Sequence, residues 1–141
     1  MAESQEHMLL VGNLVAYIRR EFKHVFALVL LQDTANAARG DKPPILNGFV
    51  PDVFAYDVPT TITIIGEAKT SADLETDRSR AQIRTFVEFL RWRAKSTFIL
   101  AVPFGLIGPA RTIISSVHKD TSSELPQIVL LHGLKPYPLL G

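Results

Sequence analysis

Residues 49–70 read FVPDVFAYDVPTTITIIGEAKT, and this stretch decides the fold. Two runs rich in branched and aromatic residues, 49–57 and 61–70, are separated by a short segment at Val58 and Pro59. Such a pattern predicts two β-strands joined by a tight turn. We therefore expect a β-hairpin over these residues.

Three charged side chains fall on this otherwise apolar hairpin. Glu67 and Lys69 are two residues apart on a strand, so they share a face and lie about 6–7 Å apart. If a two-residue turn at 58–59 sets the register, Asp52 stands opposite Ile65 and diagonal to Glu67 on that same face. Because close carboxylates repel one another and lose hydration when buried, the arrangement favours a bound divalent cation.

Patterns typical of helices and buried strands continue on both sides of the hairpin. Upstream, the sequence predicts a helix from Met8 onward behind a cap at Ser4, a strand covered on both faces at Val25–Leu31, and a loop at Asp33–Gly48. Downstream, it predicts a helix within 77–95, a strand at 97–102, a helix over 110–117 with Pro109 in its first turn, a last strand at 128–131, and a Pro-rich tail at 135–141. The order αβββαβαβ predicts an α/β fold with a mixed central sheet flanked by helices.

Composition limits the class of protein. The chain has 141 residues, 47% hydrophobic and 21% charged, which predicts one domain over 1–141, with a core at about 4–133 and a tail at 134–141. It has no Cys, which excludes disulfides, thiolate zinc sites and cysteine nucleophiles. The longest apolar run, Val25–Leu31, is too short for a membrane helix, so we expect a soluble, cytoplasmic protein without membrane contact.

The hairpin motif resembles that of a known nuclease superfamily. Pro51 and Asp52, followed after fourteen residues by Glu67-Ala68-Lys69, is similar to the PD-(D/E)XK signature. The predicted element order is also similar, because that superfamily has an αβββαβ core with the Asp on one hairpin strand and the Glu-x-Lys on the next. The resemblance implies a restriction-endonuclease-like core over about 4–102, with a C-terminal αβ extension.

The resemblance also implies an activity, a cofactor and site residues. It implies endonuclease-type hydrolysis of phosphodiester bonds in DNA that depends on Mg²⁺, with Mn²⁺ able to substitute. Asp52, Glu67 and the Ala68 carbonyl would hold the metal, with Glu6 as a further ligand and Glu3 as the alternative to it. These oxygen donors suit Mg²⁺ or Mn²⁺, whereas the four scattered histidines form no zinc pattern and are interpreted as isolated polar residues.

Two further residues of the expected site act on the substrate side. Lys69 would orient the attacking water or stabilise the developing charge. Gln82, with Phe86 four residues later, is similar to the Gln-x-x-x-Tyr element of the exonuclease branch, and only Gln82 is carried over because Phe replaces Tyr. A bare Glu-x-Lys is weak on its own, since Glu21-Phe22-Lys23 has the same pattern at a helix end.

The net charge of only +1 means that nucleic-acid binding depends on local clusters. Residues 78–95 contain six basic side chains and a single acid. Among them, Arg80, Arg84 and Arg91, with Lys95, lie near one helical face and are expected to contact a phosphate backbone, as is Lys42 in the preceding loop. A solvated helix face is the alternative. Trp92 is expected to be a partial core or interface residue rather than a base-stacking platform.

Two other interpretations remain open. The first is a non-catalytic nucleic-acid-binding or assembly subunit that retains the nuclease fold. The second is an unrelated metal-dependent enzyme on a similar sheet. In the nuclease interpretation the chain is too small for a separate reading domain, so a homodimer or a partner subunit would supply specificity.

Overall fold

The structure is a computed structural model that describes residues 4–34, 41–119, 126–132 and 135–138, so Glu3 lies outside the described residues. It contains three α-helices, α1 (Gln5–Glu21), α2 (Asp77–Arg91) and α3 (Ile107–Lys119), the last preceded by a 3₁₀ turn at Phe104–Leu106. The strands are β1 (Leu28–Gln32), β2 (Val53–Asp57), β3 (Thr63–Ala68), β4 (Ser96–Val102), β5 (Gln127–His132) and β6 (Lys135–Pro138).

Helix α1 forms where its cap and apolar spacing predict it. The Ser4 Oγ accepts a hydrogen bond from the His7 N–H at 3.1 Å, which satisfies one of the free donors of the first turn. Leu10, Leu14 and Ile18 recur at helical spacing and are buried against the sheet. The predicted Ser4 cap and helix are confirmed.

The strands form one mixed sheet in sequence order. Strands β1, β2 and β3 pair antiparallel, and β3, β4 and β5 pair parallel, with β6 added antiparallel to β5. Helix α1 covers one face of the sheet, while α2 and α3 cover the other. The predicted α/β fold, with a mixed sheet between helices, is confirmed.

The hairpin register differs from the prediction by two residues. Asp57 N donates to Ile62 O, and Val53 pairs with Gly66, so the turn has four residues rather than two. The reason is Asp57, whose carboxylate accepts hydrogen bonds from the N–H groups of Thr61 (2.7 Å) and Ile62 (2.9 Å) and thereby holds the wider turn. Because side chains alternate with a period of two, the shift keeps every predicted face and brings Asp52 level with Glu67.

Other element boundaries also differ from the prediction. The first strand begins at Leu28, because Ala27 has a φ of +56° and interrupts the extended backbone, and it is a half-buried edge strand rather than one covered on both faces. Strand β2 begins at Val53 instead of Phe49, and α2 ends at Arg91, with Lys95 beyond it at a φ of +43°. Residues 135–138 of the predicted tail form β6.

Candidate functional site

The predicted site lies at the open end of the β2–β3 hairpin, where each of two carboxylates accepts a hydrogen bond from a main-chain N–H group of the neighbouring segment. The Asp52 N–H donates to Glu67 Oε1 at 3.0 Å, and the Ala68 N–H donates to Asp52 Oδ2 at 2.8 Å. These two side-chain hydrogen bonds continue the ladder after the last main-chain pair, Val53 with Gly66. Each carboxylate is therefore fixed by one oxygen to the neighbouring strand.

Lys69 and Gln82 complete this group of side chains. The Lys69 Nζ lies 3.2 Å from Glu67 Oε2 and also donates to Gln82 Oε1, and the lysine and glutamate side chains are only 10% and 4% exposed. Gln82 comes from the second turn of α2, which packs over this face of the sheet. The structure thus brings together Asp52, Glu67, Lys69 and Gln82 as the sequence predicted.

The electrostatics of the site favour an additional positive charge. Burial, and after it repulsion from the neighbouring Asp52 carboxylate, raise the pKa of Glu67 to about 8, although Lys69 acts to lower it. A single lysine therefore does not compensate two adjacent carboxylates. The pair holds its charge more readily when another positive group is present.

The amino end of α1 reaches the same site, but with a different residue from the one expected. The carboxylate of Glu6 accepts hydrogen bonds from the Ser71 N–H (3.2 Å) and Oγ (3.4 Å), so it lies beside the segment that follows Lys69. The neighbouring His7 instead places its Nε2 atom 3.3 Å from Asp52 Oδ2. The interpretation of His7 as an isolated polar residue is wrong.

His7 was missed because its contact joins residues 45 apart in sequence. The sequence feature that could have indicated this contact is the position of His7 in the first turn of α1, directly after Glu6, the residue expected as a further metal ligand. One turn of helix presents adjacent residues in different directions, about 100° apart. Sequence alone therefore did not decide whether Glu6 or His7 would face Asp52.

The donor set fits a hard cation with few protein ligands. Among the described residues, no three side chains of His, Asp, Glu or Cys form a cluster that could hold a metal. Two carboxylates, Asp52 and Glu67, remain together with the backbone carbonyl of Ala68. Mg²⁺ usually keeps several waters and takes one or two carboxylates, so this small set suits it. The role of Glu6 as a ligand stays a prediction.

The residues expected to contact nucleic acid lie along α2 and in the loop before β2. Arg80 pairs with Asp77 at 3.4 Å and Arg91 with Glu88 at 2.7 Å, both at i,i+3 spacing on the helix. Arg84 and Lys42 are exposed. Paired and solvated arginines agree with the alternative of a hydrated helix face, so contact with a phosphate backbone stays a prediction.

Trp92 lies just past the end of α2 with 74% of its surface exposed, so it is not the partial core residue that the sequence favoured, and its role at an interface stays a prediction. In the parts of the chain that the structure covers, no helix is both long and apolar enough to cross a membrane.

Comparison with family models, curated proteins and solved structures finds no significant match for the chain. The geometry of the hairpin site is therefore the basis for assigning a function.

Proposed function

We propose that this protein is a metal-dependent nuclease of the PD-(D/E)XK type that hydrolyses phosphodiester bonds in DNA. One observation carries the proposal. Asp52 and Glu67, 15 residues apart in sequence, lie side by side because the Asp52 N–H donates to Glu67 and the Ala68 N–H donates to Asp52, and Lys69 contacts the second oxygen of Glu67. These three residues are the ones that the sequence motif selects, so the motif and the geometry support the same function independently.

The chemistry of the site agrees with this function. When bound, Mg²⁺ supplies polarisation of the phosphate and acidification of a water molecule. Asp52, Glu67 and the Ala68 carbonyl would hold it. Their oxygens are already fixed to β2 and β3, so little side-chain ordering is needed on binding.

Lys69 and Gln82 act on the substrate side of the metal ligands. Gln82 accepts a hydrogen bond from the Lys69 Nζ, and Glu67 contacts the same ammonium group, so the positive charge is held between two elements. A fixed ammonium group at this position stabilises negative charge that develops on the phosphate oxygens. Gln82 is therefore a positioning residue for Lys69.

A cleavage assay tests the proposal. Plasmid and branched DNA are incubated with the wild-type chain and Mg²⁺ or Mn²⁺, and cleavage is compared with that by Glu67→Ala and Lys69→Ala. We expect cleavage that EDTA abolishes and that each variant reduces by roughly 100-fold or more. The matched controls are Glu21→Ala and Lys23→Ala, which alter the same Glu-x-Lys pattern on exposed residues at the end of α1.

The outcomes separate the proposal from the non-catalytic alternative. Cleavage that persists in both site variants would contradict the assignment. A wild-type chain that binds DNA, takes up no Mn²⁺ in calorimetry and cuts nothing would be a binding or assembly subunit instead.

A further inference from the structure

A groove lies on the side of α2 that faces the segment 41–49. Its volume is about 440 Å³, within the range of small-molecule and base-sized sites. Its walls are mostly apolar in area, and four of its residues carry polar or charged side chains: Asn47, Arg84, Thr85 and Glu88. The apolar lining consists of Ile45, Leu46, Phe89 and Trp92. We call this cavity the Trp92 groove.

The aromatic wall of the groove is open to solvent and is backed by arginines. Trp92 is 74% exposed, although it is the only tryptophan of the chain. The Arg91 guanidinium lies 4.9 Å from the centre of the Trp92 ring, and that of Arg93 lies 4.3 Å from the centre of the Phe89 ring. Proteins that bind single-stranded nucleic acids present exposed aromatic side chains beside cations, and the bases stack on these rings.

The charges around the groove favour a polyanion over a second copy of this chain. Arg84 lines the groove, Arg91 and Arg93 stand at its aromatic wall, and Glu88 is the acid that lines it. Two such grooves facing each other about a twofold axis would bring like charges together. A phosphate backbone instead complements this excess of positive charge.

The groove and the hairpin site both take residues from α2, Arg84 to Phe89 in the groove and Gln82 at the site. Gln82, Phe89 and Trp92 follow one another at spacings of seven and three residues, which keeps them on neighbouring lines of the helix. Gln82 contacts Lys69 at one end, and Trp92 ends the row ten residues later. At about 1.5 Å per residue, Trp92 lies about 15 Å from Gln82 along the helix axis. This span equals about four nucleotides at 3.4 Å each.

We propose that the Trp92 groove binds an unpaired base of the strand whose backbone lies at Asp52 and Glu67. The substrate class is then nucleic acid with single-stranded character a few nucleotides from the cut, such as a flap, an overhang or an open end. The inference rests on the proposed function for the position of the cut, whereas the binding of an unpaired base is tested separately.

The lone tryptophan makes the test direct. The intrinsic fluorescence of the wild-type chain is titrated in EDTA, so that no cleavage occurs, with an oligothymidylate of about ten nucleotides, a length within the range of single-strand sites. A blunt DNA hairpin of equal charge is the paired control. We expect the oligothymidylate to quench Trp92 and the blunt hairpin to leave its fluorescence unchanged.

Variants measure how much the groove contributes to affinity. Using labelled oligothymidylate and fluorescence anisotropy, we expect Trp92→Ala to bind roughly 5- to 150-fold more weakly, and Trp92→Phe to retain most of the affinity because phenylalanine also stacks. Phe104→Ala is the matched control, since Phe104 is 73% exposed and lies before α3. Arg93→Gln should reduce the salt slope of binding by about 0.7.

The outcomes distinguish this inference from the proposed function. Quenching with the expected loss in Trp92→Ala supports the groove even if the chain cuts no DNA with Mg²⁺. DNA cleavage with unchanged Trp92 fluorescence and unchanged affinity of Trp92→Ala overturns the groove and leaves the nuclease proposal standing. Fluorescence that changes with protein concentration alone, and not with oligonucleotide, overturns it in favour of self-association.

Discussion

At the turn of the β2–β3 hairpin, Asp57 accepts hydrogen bonds from the N–H groups of Thr61 and Ile62 and from the Thr61 hydroxyl, whereas at the open end Glu67 faces a second carboxylate. Hydrogen bonding from Thr61 lowers the pKa of Asp57, while burial and Asp52 raise the pKa of Glu67. An acidic side chain is thus favoured in its ionised form at the turn and disfavoured in that form at the open end. The open end is therefore where a bound cation, as the proposed function requires, would have the larger effect.

The largest expected difference between the two ends is their response to metal. At 100 times the dissociation constant, Mg²⁺ or Mn²⁺ should stabilise the wild type by about 2.7 kcal/mol, or raise Tm by about 8 °C. Thermal unfolding at pH 8 measures this shift. Glu67→Gln should lose most of it and Asp57→Asn should keep it, and equal shifts in the two variants would contradict the assignment of the open end.

A second difference concerns the removal of each carboxylate from the metal-free protein. Asp57→Ala leaves two main-chain N–H groups of the turn without their acceptor, so Tm should fall by about 5 °C. Glu67→Gln removes a repulsive charge, so its Tm at pH 8 should equal or exceed that of the wild type. The same thermal scans without metal measure both. A lower Tm for Glu67→Gln than for Asp57→Ala would reverse the comparison.

The last expected difference is a pH dependence, which concerns the open end alone. Because the pKa of Glu67 is higher in the folded state than in the unfolded state, the folded protein binds the extra proton, and its stability falls as pH rises through the interval from about 4.5 to about 8. One pKa unit corresponds to about 1.4 kcal/mol, so each unit of pKa difference between the folded and unfolded states should lower Tm by about 4 °C over that interval.

Glu67→Gln is the control for this pH dependence, because it has no titrating group at that position. Its Tm should change less between pH 5 and pH 8 than that of the wild type, both measured in EDTA. A wild-type Tm that rises over the same interval would show that ionisation of Glu67 does not destabilise the folded protein.

The sequence predicted the fold where local signals act alone. Helix α1 follows from its Ser4 cap and from apolar spacing, both of which operate within a few residues. The hairpin faces were also correct, because alternation along a strand survives a register shift of two. The predicted register was wrong, because it depends on the hydrogen bonds that the Asp57 carboxylate accepts from Thr61 and Ile62. Hydrophobic patterning does not reveal a side-chain hydrogen bond.

Contacts between distant segments limited the prediction of the site. Glu67 and Lys69 were correctly placed because they are two residues apart on one strand, and Gln82 was found through the motif. The approach of His7 to Asp52 depends on how α1 packs on the sheet, which no local pattern specifies. Trp92 follows the last residue of α2 and is 74% exposed, which the apolar spacing of the helix did not specify.

Gly66, which directly precedes Glu67, limits which substitutions this position can accept in evolution. A β-carbon added there would meet Leu14 Cδ2 at 3.2 Å, whereas one at Gly12 or Gly108 would meet nothing within 4 Å. Helix α1 therefore rests on the sheet at a distance that suits a residue without a side chain, and the same helix carries Glu6 and His7 to the hairpin. Lineages of this protein should accept alanine freely at Gly12 and Gly108, while alanine at Gly66 should require the Leu14 side chain to shift by a few tenths of an ångström.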